Sequence, residues 1–184
     1  MKATGIVRRI DELGRIVIPK EIRRTLRIRE GDPLEIFTDR EGEVILKKYS
    51  PIGELGDFAK EYAAALYQSL GHIAVICDKD AIIAVAGANK RELIDKAVHE
   101  DVERLMQNRE HVICDRSQGT LVGITLDDDE NSQYESQVIV PIIAEGDAIG
   151  AVILLSKNVG ASMGMTELKA AETAARFIGK QMEQ

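Results

Sequence analysis

The chain has 184 residues, of which 45% are hydrophobic and 30% are charged, a composition typical of a globular protein with one or two domains. No apolar stretch approaches the roughly 18 residues that span a membrane, and the N-terminus lacks the apolar region of a signal peptide. We therefore expect a cytoplasmic protein without membrane interactions. The two cysteines, Cys77 and Cys114, have no Cys-x-x-Cys spacing, so we expect both to be buried, reduced thiols.

The N-terminal stretch predicts a strand, a tight turn, a second strand and a helix. Residues 16–18 form a β-branched run that fits a buried strand, and Gly14 gives the preceding turn its backbone freedom. Pro19 suits the first position of a helix because its φ is fixed and it lacks an N–H group. The pattern thus predicts a helix over residues 20–27.

Lysine and arginine are concentrated in the same stretch. The residues up to 29 hold nine cations against three acids, although the whole chain has a net charge of −7. On the predicted helix, Ile22 and Leu26 form an apolar stripe and the cations lie on the far side. Such a cluster is either a solvated helix face or a surface that binds phosphates. Because its members come from the first strand, the turn and the helix, one surface could present them together. The nine are Lys2, Arg8, Arg9, Arg15, Lys20, Arg23, Arg24, Arg27 and Arg29.

The segments TGIVR (4–8), DELGRIVIP (11–19) and EIRRTL (21–26) strongly resemble the N-terminal DNA-binding domain of the AbrB-type transition-state regulators. This match covers about the first fifty residues, and the whole chain resembles longer regulators of endospore-forming bacteria. The resemblance implies a mostly-β swapped-hairpin barrel, in which two chains interleave their strands. It also implies a sequence-preferring transcription regulator of sporulation genes, acting as a homo-oligomer. A domain this small has little core of its own, so an obligate dimer is physically reasonable.

The same resemblance implies which residues contact double-stranded DNA. Four arginines occupy positions of the family motif and are expected to contact phosphates or groove edges, while the other cations add positive field. No helix has an obvious base-reading face beyond these arginines, so we expect DNA shape and deformability to supply part of the specificity. The motif arginines are Arg8, Arg15, Arg23 and Arg24, and the additional cations are Arg9, Lys2, Lys20 and Arg27.

A domain boundary is predicted after residue 52. Residues 34–38 and 44–49 read as the strands of a hairpin with its loop at 39–43, and the Ser-Pro-Ile-Gly sequence at 50–53 then breaks the pattern. Residues 1–52 hold twelve cations and nine acids, net +3, whereas residues 53–184 hold twelve cations and twenty-two acids, net −10. Since DNA repels an acidic surface, we expect only the N-terminal domain to touch it, in the nucleoid.

Two amphipathic helices, at residues 54–70 and 166–182, bracket the second domain, and Thr166 is the predicted N-cap of the second helix. Each helix either packs on its own domain or forms a bundle with its counterparts in further chains. The bundle would build a tetramer from dimers joined through the N-terminal barrel.

The region between these helices predicts an antiparallel sheet with helices to one side, an α+β arrangement. Its pattern and closing hairpin resemble a GAF domain, a fold used for small-molecule sensing and for dimerisation. The resemblance leaves open whether a small molecule binds here, and which one. The predicted strands are 73–78, 81–86, 111–114, 121–126, 137–144 and 148–156, with a helix over 91–109.

Nothing in the sequence supports catalysis or a metal site. The pair His111 and Cys114 lacks a second close pair of metal ligands, and the acidic loop at 127–131 lacks the spacing of a calcium-binding loop. We predict neither an enzyme nor a cofactor. The alternative hypothesis is a protein-interaction module of antitoxin type, built on the same barrel. Antitoxin tails are usually short and disordered, whereas this barrel is followed by a long folded region, which favours the regulator.

Overall fold

The structure is a computed structural model that describes residues 5–50, 52, 56–126 and 134–183. The chain divides into two compact units, the first ending at Tyr49 and the second beginning at Ser50. Ile52 is fully buried in the core of the second unit. The described residues do not include Lys2, the predicted helix start at residue 54 or the acidic loop at 127–131.

The N-terminal unit contains helix α1 (Lys20–Thr25) and an antiparallel hairpin of strands β1 (Leu34–Thr38) and β2 (Val44–Lys48). The predicted hairpin is thus present. The two strands predicted before the helix are absent from residues 5–18, where a turn at 12–14 is flanked by irregular backbone. The physical reason is that a strand needs a hydrogen-bonding partner, and no strand in the described part of the chain pairs with this stretch.

Helix α1 is shorter than predicted. It ends at Thr25 because Arg27 has a φ of 53°, in the left-handed region, which interrupts the helix. Pro19 is the N-cap rather than the first helical residue, and its carbonyl accepts a hydrogen bond from the Arg23 N–H at 3.0 Å.

The C-terminal unit is built on a five-stranded antiparallel sheet with the strand order β4-β3-β7-β6-β5. Helix α2 (Gly56–Leu70) precedes the sheet, and helix α5 (Met165–Gln181) follows it. Between them the chain contains β3 (Ile73–Asp78), β4 (Ile82–Ala86), α3 (Lys90–Leu93), α4 (Glu100–Asn108), β5 (Val112–Asp115), β6 (Ser136–Ala144) and β7 (Asp147–Ser156).

Helices cover both faces of this sheet, so the prediction that they lie on one side was wrong. Successive side chains of a strand point to opposite faces, and the core strands are apolar on both. On one face, α2 and α5 pack over Ile76, Val138 and Leu154. On the other, α3 and α4 pack over Val75 and Ile153.

The single helix predicted over residues 91–109 is two helices. Ile94 ends α3, and Asp95 and Lys96 instead form backbone hydrogen bonds with Ile82, each at 3.0 Å. His99 then begins α4 as its N-cap, its Nδ1 accepting a hydrogen bond from the Asp101 N–H at 3.1 Å. Pairing with the edge of the sheet therefore replaces helical hydrogen bonds in this segment.

Three smaller predictions were also wrong. Helix α5 has Gly164 rather than Thr166 as its N-cap, because the Glu167 carboxylate accepts a hydrogen bond from the Gly164 N–H at 2.7 Å. Residues 121–126 make one isolated bridge rather than a strand. Cys77 is buried and free as expected, but Cys114 is free and only half-buried.

The closing hairpin of β6 and β7 was predicted correctly. Glu145 and Gly146 form its two-residue turn with φ values of 49° and 86°, the positive values that a type I′ turn requires. Helix α5 approaches β6 so closely that a Cβ on Gly179 would collide with the Ile143 carbonyl oxygen. None of the helices in the described part of the chain has both the length and the apolar character that a membrane span requires.

Candidate nucleic-acid interface

The turn that precedes α1 is organised by one side chain. Asp11 Oδ1 accepts hydrogen bonds from the backbone N–H groups of Leu13 at 3.0 Å and Arg15 at 2.8 Å. Gly14 completes the turn with a φ of 77°, in the left-handed region that glycine adopts without strain. Asp11 Oδ2 accepts a further hydrogen bond from Arg15 Nε at 2.8 Å. The position of the Arg15 guanidinium is therefore tied to the fold of the turn.

The hydrogen bonds from Arg15, first from its backbone N–H and then from its guanidinium, hold the pKa of Asp11 below its ordinary value. Asp11 therefore stays a carboxylate throughout the physiological pH range. The Arg15 side chain remains 69% exposed, so its guanidinium can still reach an anion in solution.

Helix α1 carries the next group of cations. Lys20 and Arg24 are exposed, whereas Arg23 and Arg27 are half-buried. The Nε atom of Arg23 is out of water and has no hydrogen-bond partner among the described residues. Helical periodicity predicts Arg23 on the solvent side of the helix, so its partial burial is a correction. Arginine can bury part of its long side chain along a protein surface while its charged end stays in water.

The structure places Arg8 and Arg9 on the exposed stretch before the turn. We use the name N-terminal cationic cluster for Arg8, Arg9, Arg15, Lys20, Arg23, Arg24 and Arg27, which are those predicted site residues that the structure describes. The structural contribution of Asp11 to the turn was missed, since an acid among cations carries no separate sequence signal. The one clue was its position four residues before Arg15, with Gly14 between them.

The N-terminal unit lacks a core of its own. Among residues 5–50, which the structure describes without a gap, Pro19 alone is buried. Large apolar side chains are exposed instead, including Val7 at 87%, Leu13 at 74% and Val17 at 73%. A small fold with this much apolar surface needs a partner to cover it.

The chemistry of the described side chains does not suggest a metal centre. No group of three or more His, Cys, Asp or Glu side chains in this part of the chain could hold a metal ion. Burial raises the pKa of the Cys77 thiol to about 12, and burial also raises the pKa of Cys114. Neither thiol is therefore an activated nucleophile at neutral pH.

Comparison with known proteins assigns both units. Residues 54–183 match the family described as stage V sporulation protein T C-terminal, transcription factor, and residues 7–54 match the family of the bacterial antitoxin MazE. Stage V sporulation protein T of Bacillus subtilis is 60% identical over 184 residues, which is 100% of both chains. The transition state regulatory protein AbrB of the same organism is 67% identical over 51 residues, 28% of this chain and 52% of that protein.

The fold of the C-terminal unit also has solved counterparts. The GAF domain of an Acinetobacter phosphoenolpyruvate-protein phosphotransferase aligns with a TM-score of 0.58 at 14% identity, covering 70% of this chain and 81% of that one. At this identity the likeness establishes the fold alone. The GAF-like, α+β prediction for this unit is thereby confirmed.

An AbrB-like N-terminal domain joined to a GAF-like domain defines a two-domain transcription regulator. The chain belongs to the stage V sporulation protein T family, whose model matches 130 of its residues, 54–183. The resemblance noted from the N-terminal segments is confirmed by this assignment.

Proposed function

We propose that this protein regulates the transcription of sporulation genes by binding double-stranded DNA through its N-terminal cationic cluster. The observation that supports this most directly is the division of charge between the two domains. Residues 1–52 carry net +3 and residues 53–184 carry net −10. DNA attracts the first and repels the second, so the protein would bind with its N-terminal domain and hold its C-terminal domain away from the duplex.

The protein would bind as a homodimer joined through the N-terminal domains. The exposed apolar residues between positions 6 and 17 and on the β1–β2 hairpin support this proposal, since pairing with a second chain would remove them from water. The same pairing would give residues 5–18 the strand partner that they lack within one chain. A swapped-hairpin barrel accounts for both features. The protein would then be located in the nucleoid.

A second contact between chains would use α2 and α5. These helices pack on their own sheet, and between them lie the rings of Phe58, Tyr62 and Phe177, with centroids 5.7–5.9 Å apart. Phe177 is 45% exposed and Tyr67 of α2 is 42% exposed. Apolar side chains left in water on two adjacent helices support a helix-to-helix contact that would join two dimers. Sedimentation of a Phe177→Ser variant, with Glu61→Gln as control, tests whether assembly beyond two chains is lost.

The deciding experiment measures the affinity of the full chain for promoter fragments and for random duplex over a range of salt concentrations. A dimer that engages four phosphates per chain is expected to show a slope of log affinity against log salt near −7, from about 0.9 counterions released per contact. Tighter binding to promoter fragments than to random duplex would establish sequence preference.

The second candidate function is a protein-interaction module of antitoxin type. It is favoured by one observation, the match of residues 7–54 to the MazE antitoxin family. The same titration separates the two functions. If the full chain binds neither the promoter fragments nor random duplex at moderate salt, the N-terminal cationic cluster serves a protein partner and the regulator proposal fails.

A further inference from the structure

The C-terminal unit has a cavity of about 500 Å³ at the outer edge of its sheet, which we call the edge cavity. Its wall is formed by Ile83 and Val85 of β4, together with Ile94, which follows α3. Because β4 is the last strand of the sheet, no further strand of the described chain closes this side. The volume lies within the range of about 300–1,000 Å³ that is usual for small-molecule sites.

Cations surround this apolar wall. Lys60 of α2 and Lys90 and Arg91 of α3 line the edge cavity, and Asp95 is its one acid. Three of the twelve cations of residues 53–184 therefore converge on one cavity in a region of net charge −10. Their clustering gives the lining of the edge cavity a charge of about +2 within a domain of net charge −10, which favours an anionic ligand.

The three cations are available to bind a ligand. Lys90 and Arg91 are exposed, and their side chains make no ion pair or hydrogen bond with another residue that the structure describes. Lys60 is held by Asp57 at 2.9 Å, but both side chains are more than half exposed. Such a surface pair is weak, so Lys60 can exchange Asp57 for a ligand at little cost.

We propose that the edge cavity binds a small organic acid that has an anionic head on an apolar body. The head would lie among Lys60, Lys90 and Arg91, and the body would cover Ile83 and Ile94, both half-buried without a ligand. The arginine fork suits a carboxylate or a phosphate equally, so either head group fits this chemistry. This inference goes beyond the proposed function, because it concerns a ligand of the C-terminal unit. Binding of such an acid can be measured without DNA.

The test measures the binding of four probes to the full chain by isothermal titration calorimetry. Octanoate and octyl phosphate carry the two head groups on one apolar body, octanol lacks the charge, and inorganic phosphate lacks the body. We expect at least one of the two amphipathic anions to bind with millimolar or better affinity, and the tighter of them identifies the head group. Octanol or inorganic phosphate binding equally well, or no probe binding at all, overturns the proposal.

Variants locate the binding. Arg91→Gln and Lys90→Gln are each expected to weaken the binding of the anion about fivefold or more, since each removes a charged hydrogen-bond donor. Lys79→Gln is the matched control, because Lys79 is an exposed cation of the same unit outside the edge cavity, and its affinity should equal that of the wild type. Equal losses in the control and in Arg91→Gln would mean non-specific attraction and overturn the site.

A substitution at Asp95 should strengthen anion binding rather than weaken it. Its φ of 62° lies in the left-handed region, which asparagine also tolerates, so Asp95→Asn should fold normally. Removing the one acid from the edge cavity is expected to tighten anion binding about twofold to fivefold, and weaker binding would contradict the proposal. Sedimentation of Arg91→Gln tests the remaining possibility, that a second copy of this chain occupies the edge cavity. A changed oligomeric state would make the cavity an interface between chains and overturn the ligand assignment.

Discussion

The Asp11 carboxylate accepts two hydrogen bonds from Arg15 across one turn, one from the Arg15 backbone N–H to Oδ1 and one from Arg15 Nε to Oδ2, both at 2.8 Å. The first contact shapes the turn, and the second orients the guanidinium that we propose to contact DNA. An acid in a DNA-binding surface would ordinarily oppose binding. We expect its contribution to the shape of the turn to offset that repulsion.

Substitutions at Asp11 separate its two contributions. Asp11→Ala removes the three side-chain hydrogen bonds that hold the turn and is expected to weaken DNA binding about tenfold, which is about 1.4 kcal/mol. Asp11→Asn keeps an acceptor for the backbone N–H groups and removes a negative charge, so it should bind DNA at least as tightly as the wild type. Fluorescence anisotropy with a labelled duplex measures both. An equal loss in the two variants would show that the carboxylate charge itself is needed.

Arg24→Ala is expected to reduce DNA binding without lowering stability, because the Arg24 side chain is exposed on α1. In a dimer it removes two phosphate contacts, so the slope of log affinity against log salt should become shallower by about 1.8. Lys79→Ala, an exposed cation of the C-terminal domain, is the control and should leave the slope unchanged. An Arg24→Ala variant with the wild-type slope would remove Arg24 from the interface.

Arg23→Ala should behave differently from Arg24→Ala. Arg23 is half-buried with its Nε out of water, so its truncation removes packing as well as charge. We expect both lower DNA affinity and a lower melting temperature, measured by circular dichroism. A variant with wild-type stability would mean that the stem of Arg23 contributes no packing in the assembled protein.

Gly179→Ala is expected to destabilise the C-terminal domain by about 1–3 kcal/mol, the usual cost of overpacking a close contact. The added Cβ would meet the backbone carbonyl oxygen of Ile143, which cannot rotate away. Gly56→Ala is the control at another helical glycine, since its added Cβ would meet no atom within 4 Å beyond its chain neighbours and the backbone of its own helix. Urea unfolding of both variants tests this. If Gly179→Ala were as stable as the wild type, α5 would be able to move away from β6 without cost.

Glu167 predicts how stability depends on pH. The hydrogen bond from the Gly164 N–H, helped by the charge of His72, lowers the pKa of Glu167 in the folded chain. A lowered folded pKa stabilises the fold at pH values above the unfolded pKa, about 4.3, and this contribution disappears as the pH falls through the folded pKa. The wild type should therefore exceed Glu167→Gln in melting temperature at pH 7, and the difference should shrink towards pH 3.

The control for that series is Glu61→Gln, which removes the same charge from an exposed position of α2. Its melting temperature should follow the wild type at every pH. If the difference between wild type and Glu167→Gln were constant with pH, the hydrogen bond rather than the ionised carboxylate would be the source of the stability.

The amino-acid sequence by itself determined the elements with strong local signals. The β-branched runs, the turn residues around Gly146 and the alternation near Ile36 located most strands within one or two residues, since these patterns act over short range. The cationic cluster and the charge division are also properties of the sequence alone. The N-terminal family was identified from the segments at residues 4–8, 11–19 and 21–26.

Tertiary structure decided what depends on distant partners. The break between α3 and α4 exists because Asp95 and Lys96 pair with Ile82, a contact that helical periodicity cannot reveal. The edge cavity likewise joins Lys60 to Arg91 from elements far apart in the chain. Residues 5–18 are the opposite case. Their sequence favours strands, but strand hydrogen bonds require a partner, and the residues that the structure describes in one chain do not supply it.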